Sequence, residues 1–75
     1  MAVTDGELLR LEAARDCVRL TKIYDQAACE AERAGDTDRA CFFWTHAYLW
    51  ALEGGLDDAV RLRGKLAAFG REVAA

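Results

Sequence analysis

His46 is the only histidine of the chain, and its side chain is the one best suited to acid–base chemistry near neutral pH. Its neighbours on the same predicted helix, Arg39 and Glu53, are ordinary surface charges. The sequence contains no glycine-rich phosphate loop, no nucleophile elbow and no His-Glu-x-x-His motif. We therefore predict no catalytic residue and no cofactor, and we expect His46 to lie at a surface or in an interface.

Three cysteines, Cys17, Cys29 and Cys41, are spaced by twelve residues, so on a helix each is turned by about 120° from the last. An odd number favours reduced thiols over a disulfide framework. Cys29 and Cys41 lie six residues on either side of Gly35 and could approach each other across a helical hairpin. A metal site would need His46 as its fourth ligand, in poor geometry. We predict small buried apolar side chains and no metal, with a thiol- or metal-responsive module as an alternative.

The strongest candidate for function is a contact surface on the middle part of the chain. Phe42 and Leu49 are seven residues apart and fall on one face of a predicted helix, beside His46. Large apolar groups on a polar face indicate an interaction surface. Alternatively, another helix of the chain covers them. The predicted protein-contact residues are Phe42, His46 and Leu49, with Arg39 and Glu53 at the rim.

A second candidate surface is a basic stripe made by Arg15, Arg19 and Lys22. Acidic residues are interspersed along the chain, the net charge is −3 and the sequence pI is about 5.0, all of which work against a general nucleic-acid binder. Nucleic acid is therefore not the expected partner. A helical regulatory subunit that contacts nucleic acid through this stripe remains the alternative.

The elements that position these residues are predicted to be helices, because proline is absent and apolar residues recur at steps of three and four. We predict helices over about 5–34, 37–53 and 56–73. A variant splits the first helix near Asp16, and Gly70 is an alternative end for the third. Short connections make neighbouring helices antiparallel, so the predicted fold is all-α, an up-down-up three-helix bundle.

The helix boundaries follow from local signals. Thr4 followed by Glu7 is typical of a capping box at a helix start. Gly35 can adopt the left-handed conformation that ends helices, and Asp36 or Thr37 can cap the next one. The helix that follows is apolar almost all round, which predicts burial on more than one side.

The first hairpin resembles a tetratricopeptide-type helix pair over about residues 24–69. That repeat places small and aromatic residues at fixed offsets on two antiparallel helices. The resemblance implies a tetratricopeptide-like hairpin followed by a third, capping helix, and a role in binding protein or peptide. The matching residues are Tyr24, Ala27, Ala28 and Ala31, the turn Gly35-Asp36, and Ala40, Trp44 and Ala47.

The size of the chain sets the remaining expectations. Its 75 residues predict a single helical domain over 1–75. The sequence has no apolar run of 18 residues and no basic segment before an apolar stretch at its start, so we expect a cytoplasmic protein without a membrane partner. The first predicted helix is longer than the second. This difference in length favours a homo-oligomer, most simply a homodimer. The sequence thus predicts a small non-catalytic module for protein–protein interaction or oligomerisation.

Overall fold

The computed structural model describes residues 3–71, and within that range it is all-helical, with no strand. Four helices follow one another: α1 (Asp5–Ala13), α2 (Cys17–Arg33), α3 (Thr37–Glu53) and α4 (Asp58–Ala68). The all-α prediction is confirmed. The bundle has four helices in place of the predicted three, because the predicted first helix is divided.

The division of the predicted helix over 5–34 occurs at Arg15, which adopts a left-handed backbone with φ +52°. The amide of Asp16 donates to the carbonyl of Leu11 at 3.0 Å, a bond that satisfies a free carbonyl at the end of α1. The Asp16 carboxylate then accepts from the amide of Arg19 at 3.3 Å and caps α2. The capping preference of Asp16 therefore overrides the continuous apolar stripe, and the split variant is the one observed.

The α2–α3 connection follows the sequence signals closely. Gly35 has φ +81°, a conformation that side chains rarely adopt. Asp36 caps α3 by accepting from the amide of Arg39 at 3.1 Å. The predicted bounds of this helix, 37–53, are confirmed.

The last helix is shorter than predicted. It begins at Asp58 and ends at Ala68, because Gly70 adopts φ +73° and the amide of Arg71 bonds back to the carbonyl of Leu66 at 2.8 Å. Gly70 is thus the end signal. The final positions of the predicted helix over 56–73 lie outside the described residues.

The helices α2 and α3 form a hairpin, and the chain just after α4 returns to the start of α3, where Arg71 pairs with Asp38. Gly54, at the end of α3, packs so tightly on the start of α2 that an added Cβ would lie 2.6 Å from the Cβ of Cys17. Overall extents of 32 × 28 × 15 Å describe a slab about two helix layers thick, since packed helix axes lie 8–10 Å apart. A slab of this kind leaves outer helix faces uncovered. No helix within residues 3–71 combines the length and apolar character needed to cross a membrane.

One apolar core joins α2, α3 and α4, whereas α1 contributes no buried residue. Small side chains at the α2–α3 contact let the two helices approach closely. Trp44 is fully buried and stacks on Phe69, with ring centroids 5.6 Å apart. The largest fully buried side chains are Trp44, Leu20, Leu62, Leu66 and Thr21.

The carboxylate of Asp25 connects the three core helices. Its Oδ1 accepts the indole N–H of Trp44 at 3.1 Å, and its Oδ2 accepts from Arg61 at 2.8 Å. Arg61 also bonds the exposed Asp58 at 3.2 Å. The hydrogen bond that Arg61 donates to Asp25 is the main cause that raises the pKa of Arg61. The buried indole donor thereby gains a charged acceptor, which is stronger than a neutral one.

Asp25→Ala is expected to lower the free energy of unfolding by about 2 kcal/mol, because it leaves the indole N–H of Trp44 buried without an acceptor. Asp58→Ala is the matched control. It removes the exposed partner of Arg61 and is expected to cost less than about 1 kcal/mol. Urea unfolding followed by circular dichroism measures both values, and equal losses would contradict the role of Asp25.

Two glycine-to-alanine substitutions are expected to have opposite signs. Gly54→Ala forces a new Cβ against Cys17 and is expected to destabilise the fold by about 1–3 kcal/mol. Gly64, inside α4, has no atom within 4 Å of an added Cβ, so Gly64→Ala is expected to stabilise by about 1 kcal/mol. Thermal unfolding of both variants measures these changes. An unchanged unfolding temperature for Gly54→Ala would show that Gly54 is not closely packed against Cys17.

Candidate protein-contact site

The orientation of α3 follows from burial of Trp44. At 100° per residue, Trp44 points about 160° away from Phe42, and Leu49 lies within about 20° of Phe42. With Trp44 fixed in the core, both of the other side chains must point outward. Phe42 is 58% exposed and Leu49 is 52% exposed. The structure therefore places the two central residues of the predicted contact surface on the outside of the protein.

Leu52, which the sequence analysis did not single out, extends this surface. It is 49% exposed and follows Phe42, Thr45 and Leu49 at steps of three and four. Spacing that alternates between three and four residues is typical of a seam between two helices. We call Phe42, Thr45, Leu49 and Leu52 the α3 strip.

His46 lies beside the α3 strip and is only half-buried. Its ring stands between those of Phe42 and Tyr24, with centroid distances of 4.6 Å and 5.1 Å. The Nδ1 atom lies 3.1 Å from the backbone carbonyl oxygen of Phe42, within hydrogen-bond distance. His46 thus packs against the inner side of the Phe42 ring within its own chain.

The two predicted rim charges lie at opposite ends of the α3 strip. Arg39, near the start of α3, is exposed, and its guanidinium lies 6.0 Å from the ring centroid of Phe43. Within residues 3–71 it forms no ion pair. Glu53, the last residue of α3, is exposed and pairs through one carboxylate oxygen with Arg15. Arg39 therefore places an unpaired positive charge at one end, whereas the negative charge of Glu53 at the other end is compensated by Arg15 of the same chain.

A shallow open cleft of about 410 Å³ adjoins the C-terminal half of the α3 strip. Trp50 is partly buried in it, and Glu12 of α1 and Glu53 of α3 are at its edges. A large side chain of a partner could enter such a cleft, as anchor residues do in many interfaces. The cleft depends on the position of α1, which the sequence analysis missed because it treated α1 and α2 as one helix.

A hydrogen bond between Tyr24 and Glu12 holds α1 against the hairpin. The Tyr24 hydroxyl donates to Oε2 of Glu12 at 3.4 Å. Burial raises the pKa of Tyr24, and the negative charge of Glu12 and this hydrogen bond raise it further. The raised pKa means that the folded state favours the neutral phenol. The contribution of this shift to the free energy of unfolding is complete below about pH 10 and is lost as pH rises through the pKa of the folded state.

The basic stripe of the sequence analysis has acidic neighbours within the described residues. In the basic stripe, Arg15 pairs with Glu53 and Arg19 lies 3.6 Å from Asp16, which leaves Lys22 without an ion pair in the range 3–71. The stripe is therefore largely neutralised.

The cysteines are free thiols in different surroundings. Cys41 is buried, whereas Cys17 and Cys29 are half-buried. Cys29 lies 3.9 Å from Oδ1 of Asp25. Among residues 3–71, no group of three or more histidine, cysteine, aspartate and glutamate side chains is placed to hold a metal ion.

Glu12→Gln is expected to lower the pKa of Tyr24, because it removes the negative charge that disfavours the phenolate. A Tyr48→Phe background leaves Tyr24 as the single tyrosine, so tyrosinate absorbance reports its titration directly. Glu7→Gln, an exposed carboxyl on the same helix, is the matched control and is expected to leave the titration unchanged. Identical titration curves for the two variants would contradict the contact between α1 and the hairpin.

Three comparisons, with protein-family models, with curated proteins and with solved structures, found no match to this chain. The tetratricopeptide-like resemblance and the interaction function are therefore argued from the residues of this chain alone.

Proposed function

We propose that this protein is a small non-catalytic protein-interaction module of tetratricopeptide-like type, which binds protein through the α3 strip. The observation that carries the proposal is the exposure of Phe42 and Leu49 on the helix that also supplies half of the buried core residues. A helix that is buried on one side and apolar on the other needs a partner to cover the second side.

The α3 strip differs from the other exposed apolar residues of the described chain. Leu9, Val18 and Val60 are also exposed, but each lies on a different helix. Single exposed apolar residues are normal in proteins, whereas a contiguous row is not. Since Phe42 and Leu49 are each about half buried already, covering both completely would contribute about 2–3 kcal/mol.

The tetratricopeptide-like type is supported by the arrangement of α2, α3 and α4. Both helices of the hairpin have 17 residues, and Ala28, Ala40 and Ala47 are fully buried between helices. The next helix packs on α3, with Phe69 stacked on Trp44 and Arg71 paired with Asp38, which supports a capping role for α4. The chain holds one such hairpin, so the proposed contact uses the outer face of α3 and not the concave groove of a long repeat array.

The cleft beside the α3 strip supports binding of a folded partner. Its apolar floor at Trp50 and Leu49 suits a large anchor side chain, and Glu12 and Glu53 suit a basic neighbour of that anchor. Interfaces commonly combine a central apolar anchor with a charged rim of this kind.

Site-specific photocrosslinking tests the function directly. A photoreactive phenylalanine analogue at position 42 is expected to give one or a few discrete crosslinked protein species in cells that express the protein. The added substitution Leu49→Glu is expected to abolish them, because it places a charge in the middle of the apolar contact.

Val60→Glu is the matched control. Val60 is 80% exposed on α4, away from the α3 strip, so a charge there is expected to leave the crosslinks intact. Circular dichroism verifies that both variants fold. Diffuse crosslinking without discrete species, or equal loss in the two variants, would contradict an interaction through the α3 strip.

A further inference from the structure

We propose that the α3 strip is covered by a second copy of this chain, with the two α3 helices packed antiparallel across a two-fold axis near Thr45 and His46. The proposal rests on the proposed function and names the partner. It commits to a symmetric dimer, in which the same surface of each copy meets its counterpart.

The spacing of the α3 strip fits an antiparallel seam. Phe42 and Leu49 lie about 10 Å apart along the helix, at 1.5 Å per residue, with Thr45 between them. When two such helices lie antiparallel across a two-fold axis at the midpoint between these residues, Phe42 of each copy faces Leu49 of the other. The two small Thr45 side chains then face each other at the centre, where the helices can approach closely.

The charges at the ends of the strip select this direction. Arg39 and Glu53 are about 21 Å apart along α3, at 1.5 Å per residue. In an antiparallel pair, Arg39 of each copy lies near Glu53 of the other, which gives two attractive contacts around an apolar centre. A parallel pair would place Arg39 on Arg39 and Glu53 on Glu53, which is repulsive.

The contact that Glu53 makes within its own chain is compatible with this arrangement. Arg15 engages Oε2 of Glu53, and a carboxylate has a second oxygen with free lone pairs. Arg39 is exposed, its guanidinium lies 6.0 Å from the ring centroid of Phe43, and within residues 3–71 it forms no ion pair. Both ends of the strip can therefore pair between copies without loss of an intrachain ion pair.

Charge exchange between the two ends tests the proposal. Wild type is expected to be a dimer by sedimentation and light scattering. Arg39→Glu alone and Glu53→Arg alone are each expected to weaken the dimer at least about tenfold, because each places like charges together twice. The double variant Arg39→Glu/Glu53→Arg is expected to restore it.

The most specific readout is a mixture of the two single variants. Native mass spectrometry with one variant isotopically labelled is expected to show mainly the mixed dimer, in which both end contacts are again attractive. Arg15→Ala is the control: it removes the intrachain partner of Glu53 and is expected to leave the dimer intact.

Each outcome separates this proposal from the proposed function. A monomeric wild type, or single variants that fail to combine in the mixture, would overturn the symmetric dimer. If crosslinks from position 42 to another protein persist in that case, the interaction function stands with a different partner. A dimer that survives Phe42→Glu/Leu49→Glu would show that another surface holds the copies together, which also overturns the proposal.

Discussion

The fold depends most directly on one carboxylate. Asp25 of α2 accepts the indole N–H of the buried Trp44 from α3 and the guanidinium of Arg61 from α4. Without this acceptor, a donor in the centre of the core would lose its only hydrogen bond, a cost comparable to a large part of the stability of so small a domain. The interaction therefore fixes how α3 is rotated between its two neighbours.

The rotation of α3 has a functional consequence. Because Trp44 points into the core, the opposite side of the same helix, with Phe42 and Leu49, has to face solvent. The slab is about two helix layers thick, so no further helix of the described chain covers this side. Arg39 lies at one end of the exposed side, and Glu53, which also pairs with Arg15, lies at the other. In the antiparallel dimer that we propose, this apolar centre and its two charged ends would complement the same surface of a second copy. The surface is exposed because Trp44 is buried on the other side of α3.

Local signals were sufficient to predict α3 and its outward face from the sequence. Gly35 and the capping candidates Asp36 and Thr37 mark its start to within one residue, and the spacing of Phe42 and Leu49 depends only on helical geometry. The break at Arg15 was harder to predict. The residue with the left-handed backbone is an arginine and not a glycine, so its residue type does not indicate the end of a helix. The role of Asp25 was not predictable, since it joins residues far apart in the chain. The cleft beside Trp50 was missed for the same reason, because it forms only once α1 turns back onto the hairpin.

The most direct measurement of the central claim is the solvent exposure of the Leu49 methyl groups as a function of protein concentration. A water-soluble paramagnetic reagent broadens the NMR signals of exposed methyl groups and spares buried ones. At low concentration the Leu49 signals should broaden strongly, and at high concentration they should become protected, while those of the buried Leu62 stay protected throughout. Leu49 signals that are protected even in the most dilute sample would contradict the account, because the chain would then hide this side of α3 by itself.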